Sequence, residues 1–491
     1  MAAAQYGMEG QLVEVECDMS ASLPGFVVVG LGNKAVEEAR DRVRSAIKNS
    51  GLLIPPKRIT FNLAPADLPK DGTAYDLGMA VALLVSSEQL PVIKDALFIG
   101  ELGLDGKLRP VPGVITAARI ARKHGIKRVF APVENAAAAT MIDRVVVYPT
   151  RDLKSLFDHL KGIKRIRALP TKAAGLTPST IDVPKFEEIY GQSAAKRAML
   201  IAAAGSHNIL LSGPPGAGKT MLSKAVIGIM PPPTIEEQIE ISQLHSLAGY
   251  PDSVGQRPFR NPHHTASNSA LIGGGNQPRP GEISLSHRGV LFLDEVPEFR
   301  REVLEALRQP LEDGNVTIAR ASGALTFPAR FILVAAQNPC PCGYYGDPIH
   351  KCTCTSYQMD RYQKQLSGPL LDRIDLVVAV SRVDLEKHSY GDGGPTTSEL
   401  QQLVLEARNI QAKRLGVGRT NGEMTNVEIE EHCRLDTEVL KLAKQSVRNL
   451  GLSTRAYMRL RKVARTIADL EGSPSINEAH YKEAFSYRTN R

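Results

Sequence analysis

The stretch "ILLSGPPGAGKTML" places an apolar run ahead of Gly213, Pro214, Pro215, Gly216, Ala217, Gly218, Lys219 and Thr220. The glycines let the backbone curl so that several N–H groups face inward, and a helix starting there adds its positive end. That is chemistry for a triphosphate. Lys219 is expected to reach the β- and γ-phosphates and Thr220 to ligate Mg²⁺, with Met221 completing the cofactor-binding run.

A second stretch, "RGVLFLDEVPEF", ends four apolar residues in Asp294 and Glu295. A carboxylate at the edge of a neighbouring strand can hold the Mg²⁺ water shell, which is assigned to Asp294. The next can polarise an attacking water, which is assigned to Glu295. Asn338, closing "RFILVAAQN", is placed to orient that water; the alternative is an Asx turn. Arg373 in "GPLLDRIDLVVAV" could reach the γ-phosphate of a neighbouring subunit, or could pair with Asp372 or Asp375. In "LSTRAYMRLRKVAR" most cations read as a solvated helix face, and Arg455, near the helix start, is the one expected to reach nucleotide.

Four of the six cysteines fall in "NPCPCGYYGDPIHKCTC", as Cys340/Cys342 and Cys352/Cys354. Two tight pairs suit a tetrahedral structural Zn²⁺, although C-x-C is tighter than the usual knuckle. His350 could replace one thiol, and idle or redox-sensing thiols are the alternatives. Cys17 and Cys433 stand alone.

These residues need scaffolds. "NILLSG", "VLFLDE" and "RFILVAAQ" read as buried parallel strands between helices. Residues 1–163 alternate strand-like runs ("FVVVGLG", "RITFNLA", "DRVVVYP") with helical ones, a small α/β domain. Residues 164–183 read as a linker, 184–394 as the phosphate-binding core and 395–491 as a helical domain. A length of 491 residues supports two to four domains. No apolar run approaches the ~20 residues that cross a bilayer, and the first residues do not pattern as a secretory signal. A reducing, cytoplasmic setting is expected, in which metal ligation outranks a disulfide. The net charge of +8 is compatible with nucleic acid without requiring it.

Together the motifs resemble an AAA+ ATPase. "FEEIYGQSAAKRAMLIAAAGSHNILLSGPPGAGKTML", "RPFRNPHHTASNSALIGGG", "PRPGEISLSHRGVLFLDEVPEF" and "GPLLDRIDL" resemble the ComM/YifB family, labelled magnesium-chelatase-like. The resemblance implies an α/β fold with an AAA+ P-loop parallel-sheet core and a C-terminal helical lid. It also implies ATP and Mg²⁺ as cofactors, a cytosolic homo-hexamer, and DNA branch migration during recombination or natural transformation. Branched, single- and double-stranded DNA and recombination proteins are the implied partners. By the same resemblance Asn338 falls on the sensor-1 position, Arg373 on the arginine finger and Arg455 on sensor 2. Gly191 and Gln192 fall where adenine binding begins. Arg320 lies near the tip of a pore hairpin. The region from about Glu240 to Arg288 resembles a helix-2 insertion, whose Arg257, Arg260, His263, His264, Arg279, His287 and Arg288 could track a phosphate backbone.

The first domain resembles the proteolytic domain of Lon. "LPKDGTAYDLGMAVALL" matches the serine segment and "VPGVITAARIARKHGIKRVFAPVEN" the lysine segment, with Ala74 and Ala117 at the dyad positions. Alanine can neither attack nor take a proton, so the domain is expected to be a scaffold. Three functions compete: a DNA motor, a chelatase-type motor acting on a protein partner, and a scaffold with a vestigial nucleotide site. The intact phosphate motifs disfavour the last.

Overall fold

The computed structural model describes residues 1–30, 34–65, 70, 72–170, 183–250, 255–275, 278–320, 323–347, 349–366, 368–382, 394–450 and 453–489. They form two compact units, Met1–Thr177 with Gln238–Gly255, and Pro178–Glu237 with Gln256–Arg491.

In the first unit, β1 (Ala2–Tyr6), β2 (Glu9–Ser20), β3 (Gly25–Val29) and β4 (Arg58–Ala64) make a sheet in the order β1-β2-β4-β3. Only β3 and β4 run parallel. Helix α1 (Lys34–Asn49) buries Val36, Ala39, Val43, Ala46 and Ile47, a three-to-four residue repeat that puts one stripe in the core. Helix α2 (Asp76–Ser86) is apolar nearly all round and lies inside. A parallel sheet of β5 (Ala96–Phe98), β6 (Arg128–Pro132) and β7 (Val146–Thr150) packs with α3 (Val114–Lys123). Most of the expected linker, 171–182, lies outside the described residues.

The second unit carries α4 (Ser193–Gly205), β8 (Ile209–Ser212) and α5 (Lys219–Ile229); α6 (Ile235–Leu247) begins in it and belongs to the first unit from Gln238 on. Then follow β9 (Phe259–Arg260), β10 (Val290–Leu293), the hairpin β11 (Asn315–Arg320) and β12 (Gly323–Pro328), β13 (Ile332–Gln337) and β14 (Leu376–Ala379). The central sheet is all parallel in the order β9-β10-β13-β8-β14. β10 is buried along its whole length, as strands covered on both faces must be. The order turns back at β8, so loops at its C-terminal end open a crevice. Helices α7 (Thr397–Leu415), α8 (Asn426–His432), α9 (Thr437–Leu450), α10 (Thr454–Leu470) and α11 (Glu478–Thr489) complete the unit. One apolar cluster runs from Phe186 through β8 and α7 to Tyr487, so the helical region shares the core of the sheet.

The sequence assigns residues from about Glu240 to the phosphate-binding core, but Gln238–Gly255 cluster with the first unit. The reason is local chemistry. Gln243 Nε2 donates to Thr116 Oγ1 at 3.0 Å, Arg119 Nη1 to Gln243 Oε1 at 2.9 Å, and the Gly113 N–H to Ser246 Oγ at 3.1 Å. Ile239 joins the same apolar cluster as Ala74, Ala117 and Leu12. Among the described residues no helix is long and apolar enough to cross a membrane.

Candidate nucleotide site and cysteine cluster

Register builds the site. Ser212 pairs with Gln337, so Gly213 and Asn338 leave the sheet side by side. Gly213 has no room for a side chain, since a Cβ there would sit 2.0 Å from the Val380 carbonyl oxygen. Gly216 and Gly218 turn the loop with φ of 77° and 87°, and α5 starts at Lys219. Lys219 Nζ donates to the Gly213 and Pro214 carbonyls at 2.6 and 3.0 Å and to Asn338 Oδ1 at 3.1 Å. Burial lowers the Lys219 ammonium below its ordinary pKa, and the Asp294 and Glu295 carboxylates oppose that.

Thr220 Oγ1 donates to Asp294 Oδ2 at 3.0 Å, which brings the two expected Mg²⁺ ligands together. Asp294 Oδ1 accepts the Glu295 N–H at 2.9 Å, and Glu295 is exposed in a left-handed conformation, φ 49°. Gln192, also left-handed beside Gly191, donates to the Ala217 and Ser381 carbonyls at 3.3 and 2.5 Å, joining this segment to the Gly213–Thr220 loop. Met221 packs against the core cluster. This set fits a Mg²⁺-bound triphosphate: a glycine-turned loop at a helix start, one ammonium, one hydroxyl and two carboxylates.

Arg373 and Arg455 do not join this set in their own chain. Ile209 pairs with Leu376, so Arg373 precedes β14 at the strand end opposite the phosphate loop. Its Nε and Nη1 donate to the Arg308 and Pro369 carbonyls at 3.1 and 2.9 Å, and Nη2 bonds Glu312. Arg455 Nη2 reaches the other oxygen of Glu312 at 2.7 Å. Arg459 fixes the turn, donating to the Arg373 carbonyl and to Asp375 Oδ1, each at 2.8 Å. Glu312 carries no signal in the sequence, because its partners lie far along the chain.

The expected backbone-tracking cations divide. Arg257 is buried and donates to Glu237 Oε2 at 2.8 Å and to the Pro231 and Arg288 carbonyls, so it is not presented to solvent. Arg260 grips Glu282 through two 2.5 Å bonds. His287 is buried, its Nδ1 accepting the Arg330 N–H. Arg279 is exposed, as is His263, whose ring lies 4.1 Å from that of His264. Arg320 is the last residue of β11, paired with Gly323; the turn at 321–322 lies outside the described residues.

Sγ–Sγ distances among Cys340, Cys342 and Cys352 are 3.4, 3.7 and 3.6 Å, and the Cys342 N–H points at Cys354 Sγ at 3.3 Å. All four sulfurs lie within 4.8 Å of one another. Four sulfurs ~2.3 Å from a tetrahedral centre stand about 3.8 Å apart, so the cluster fits a metal ion. His350 stands outside it, stacked on Tyr344 and bonded to Arg382. Gly343 lies against the phosphate loop: a Cβ there would come 2.7 Å from Pro215 Cδ.

Family models agree with this architecture. Residues 185–388 match "Magnesium chelatase, subunit ChlI", residues 15–135 "Subunit ChlI of Mg-chelatase", and residues 394–488 the ChlI C-terminal model. The fold and site therefore define a magnesium-chelatase-type AAA+ protein. The chain is 44% identical to competence protein ComM of Haemophilus influenzae, covering 99% of this chain and 96% of that protein. It is also 44% identical to YifB of Escherichia coli, with the same coverage. It belongs to the ComM/YifB family. A 133-residue stretch is 25% identical to a Lon protease of Solibacter usitatus, covering 26% of this chain and 16% of that protein.

Proposed function

We propose that the chain is an ATPase whose hexameric ring drives branch migration and unwinding of branched DNA in recombination or natural transformation. The observation that carries the reading is the joining of Lys219 to Asn338, beyond the adjacent strands β8 and β13, and of Thr220 to Asp294, which follows β10 on the far side of β13. Thr220 and Asp294 would hold Mg²⁺, which would supply neutralisation of the triphosphate's charge. Lys219 binds the terminal phosphates, Asn338 orients the attacking water, and Glu295 takes its proton. Arg373 lies at the far end of the strand from its own phosphate loop. A neighbouring subunit's nucleotide is its natural target, which makes catalysis a property of the ring, and Arg455 lies beside it to act on the same phosphate. Arg320 and the exposed His263–His264 loop supply contacts to the DNA backbone.

The cysteine cluster holds a structural Zn²⁺ that clamps the loop after Asn338. The domain boundaries are 1–163, 164–183, 184–394 and 395–491 save that Gln238–Gly255 go with the first unit, and the protein works in the cytoplasm. The DNA reading is supported by the relative called a competence protein. A second reading, a chelatase-type motor acting on a protein partner, is favoured by 23% identity to the magnesium-chelatase 38 kDa subunit of Rhodobacter capsulatus, covering 66% of this chain and 94% of that protein.

A labelled four-way junction incubated with the protein and ATP separates the two readings. The motor converts it to two duplexes, and Lys219→Ala does not. ATP hydrolysis that ignores DNA and leaves the junction intact would favour the chelatase-type reading.

A further inference from the structure

A cavity of about 400 Å³ opens in the second unit at the strand ends opposite the phosphate loop. Asn208, Gly289, Phe331 and Asp375, each lying before a strand of the central sheet, form one wall. Arg408 of α7 and the loop from Gly418 to Thr425 form the other, so the cavity lies between sheet and helical region.

Its charge is unevenly matched. Arg257, Arg288 and Arg408 line it beside the carboxylate of Glu237. Arg257 bonds that carboxylate at 2.8 Å and Arg288 approaches it at 3.9 Å. Arg408 has no carboxylate partner among the described residues: Nε and Nη2 donate to the Ala203 carbonyl at 3.1 and 2.7 Å, and Nη2 also reaches Ser206 Oγ at 3.4 Å. Of the other acids of the cavity, Asp375 is engaged by Arg459, Glu423 by Arg330, and Glu312 by Arg373 and Arg455, while Asp313 is exposed. Burial first, then the charge of Arg257, pushes the Arg408 guanidinium down to about 9, with the Glu237 and Glu423 carboxylates opposing this from beyond ion-pair distance. A cation so placed has acids nearby but no direct ion pair.

We propose that this cavity binds a small phosphate anion, held by Arg408 with Arg257 and Arg288 and closing the helical region onto the sheet. Guanidinium forks match tetrahedral oxyanions, and the charge-assisted bonds strengthen where water is scarce. The volume suits a small ligand, whereas a duplex is too wide to enter. The ligand is thus a free phosphate rather than a nucleic-acid backbone. The inference does not depend on the DNA-motor reading.

The test uses full-length Lys219→Ala protein, which weakens the other phosphate-binding centre. Inorganic phosphate is titrated by calorimetry at constant ionic strength, with chloride replacing it in the control. Saturable binding is expected, weakened about tenfold by Arg408→Gln and in part restored by Arg408→Lys. An unchanged circular dichroism melt of Arg408→Gln without phosphate excludes a folding defect; if that variant melts early, Arg408→Lys alone is compared. Absent binding, or binding indifferent to Arg408, overturns the proposal. So does a short oligonucleotide without terminal phosphates whose binding falls in Arg408→Gln while inorganic phosphate does not bind.

Discussion

Arg373 and Arg455 close on the two oxygens of one carboxylate, that of Glu312. Arg373 is only 8% exposed, with further bonds to two backbone carbonyls. A guanidinium held this way is engaged within its own chain, and on the proposed ring reading it must exchange Glu312 for a phosphate before acting on a neighbour. Arg373→Ala is expected to cut kcat by roughly 10³ while nucleotide affinity stays near wild type. Steady-state hydrolysis and binding of a fluorescent ADP analogue measure the two separately.

Asn338 offers a different split. Its Oδ1 accepts from Lys219, so the amide both restrains the ammonium and faces the crevice. Asn338→Ala should lower kcat by about 10² with a small change in ATP affinity, read by single-turnover hydrolysis. Lys219→Ala should lose binding and turnover together.

Gly343 links the cysteine cluster to the phosphate loop. Its φ is 83° and a Cβ would press on Pro215. Gly343→Ala is therefore expected to destabilise by about 1–2 kcal/mol and to weaken ADP binding, measured by thermal melts with and without ADP. A variant that melts early yet binds ADP normally would separate the cluster from the nucleotide site.

Metal removal tests the same link from the other side. Purified protein should carry about one zinc per chain, and Cys352→Ser should lose it. Chelation should lower ADP affinity as well as stability, because the clamped loop rests on Pro215. Mass spectrometry of the native protein and calorimetric ADP titration supply both numbers.

Asp375 gives a pH dependence. Burial raises its carboxyl, but Arg459 and His207 beside it more than reverse this and hold it far below the ordinary carboxylate range. A depressed folded pKa means that the stability it contributes is complete above the unfolded value near ~3.9 and is lost as pH falls through and below it. Acid unfolding of the second unit should steepen below about pH 4, and Asp375→Asn should flatten that limb while costing roughly 3 kcal/mol at neutral pH.

The phosphate loop and the carboxylate pair were readable because each is contiguous: strand, loop and helix follow one another, and local chemistry decides them. The strands "NILLSG", "VLFLDE" and "RFILVAAQ" appear as β8, β10 and β13 for the same reason. What escaped the sequence is non-local. Nothing in "RQPLEDG" marks Glu312 as the partner of Arg373 and Arg455, and nothing around Arg257 announces that Glu237 buries it. The destination of Gln238–Gly255 escaped too, since Gln243 and Ser246 look like ordinary polar helix residues until Thr116 and Gly113 are brought to them.

That last arrangement bears on how the gene can be cut. The chain enters the second unit, returns to the first unit at Gln238 and leaves it again by Gln256. A fragment beginning after residue 177 would strip Ile239 of its apolar neighbours and leave Gln243 and Ser246 without their partners. Deleting the amino-terminal third therefore does not liberate an intact second unit. A clean excision has to bridge Glu237 to Gln256 as well.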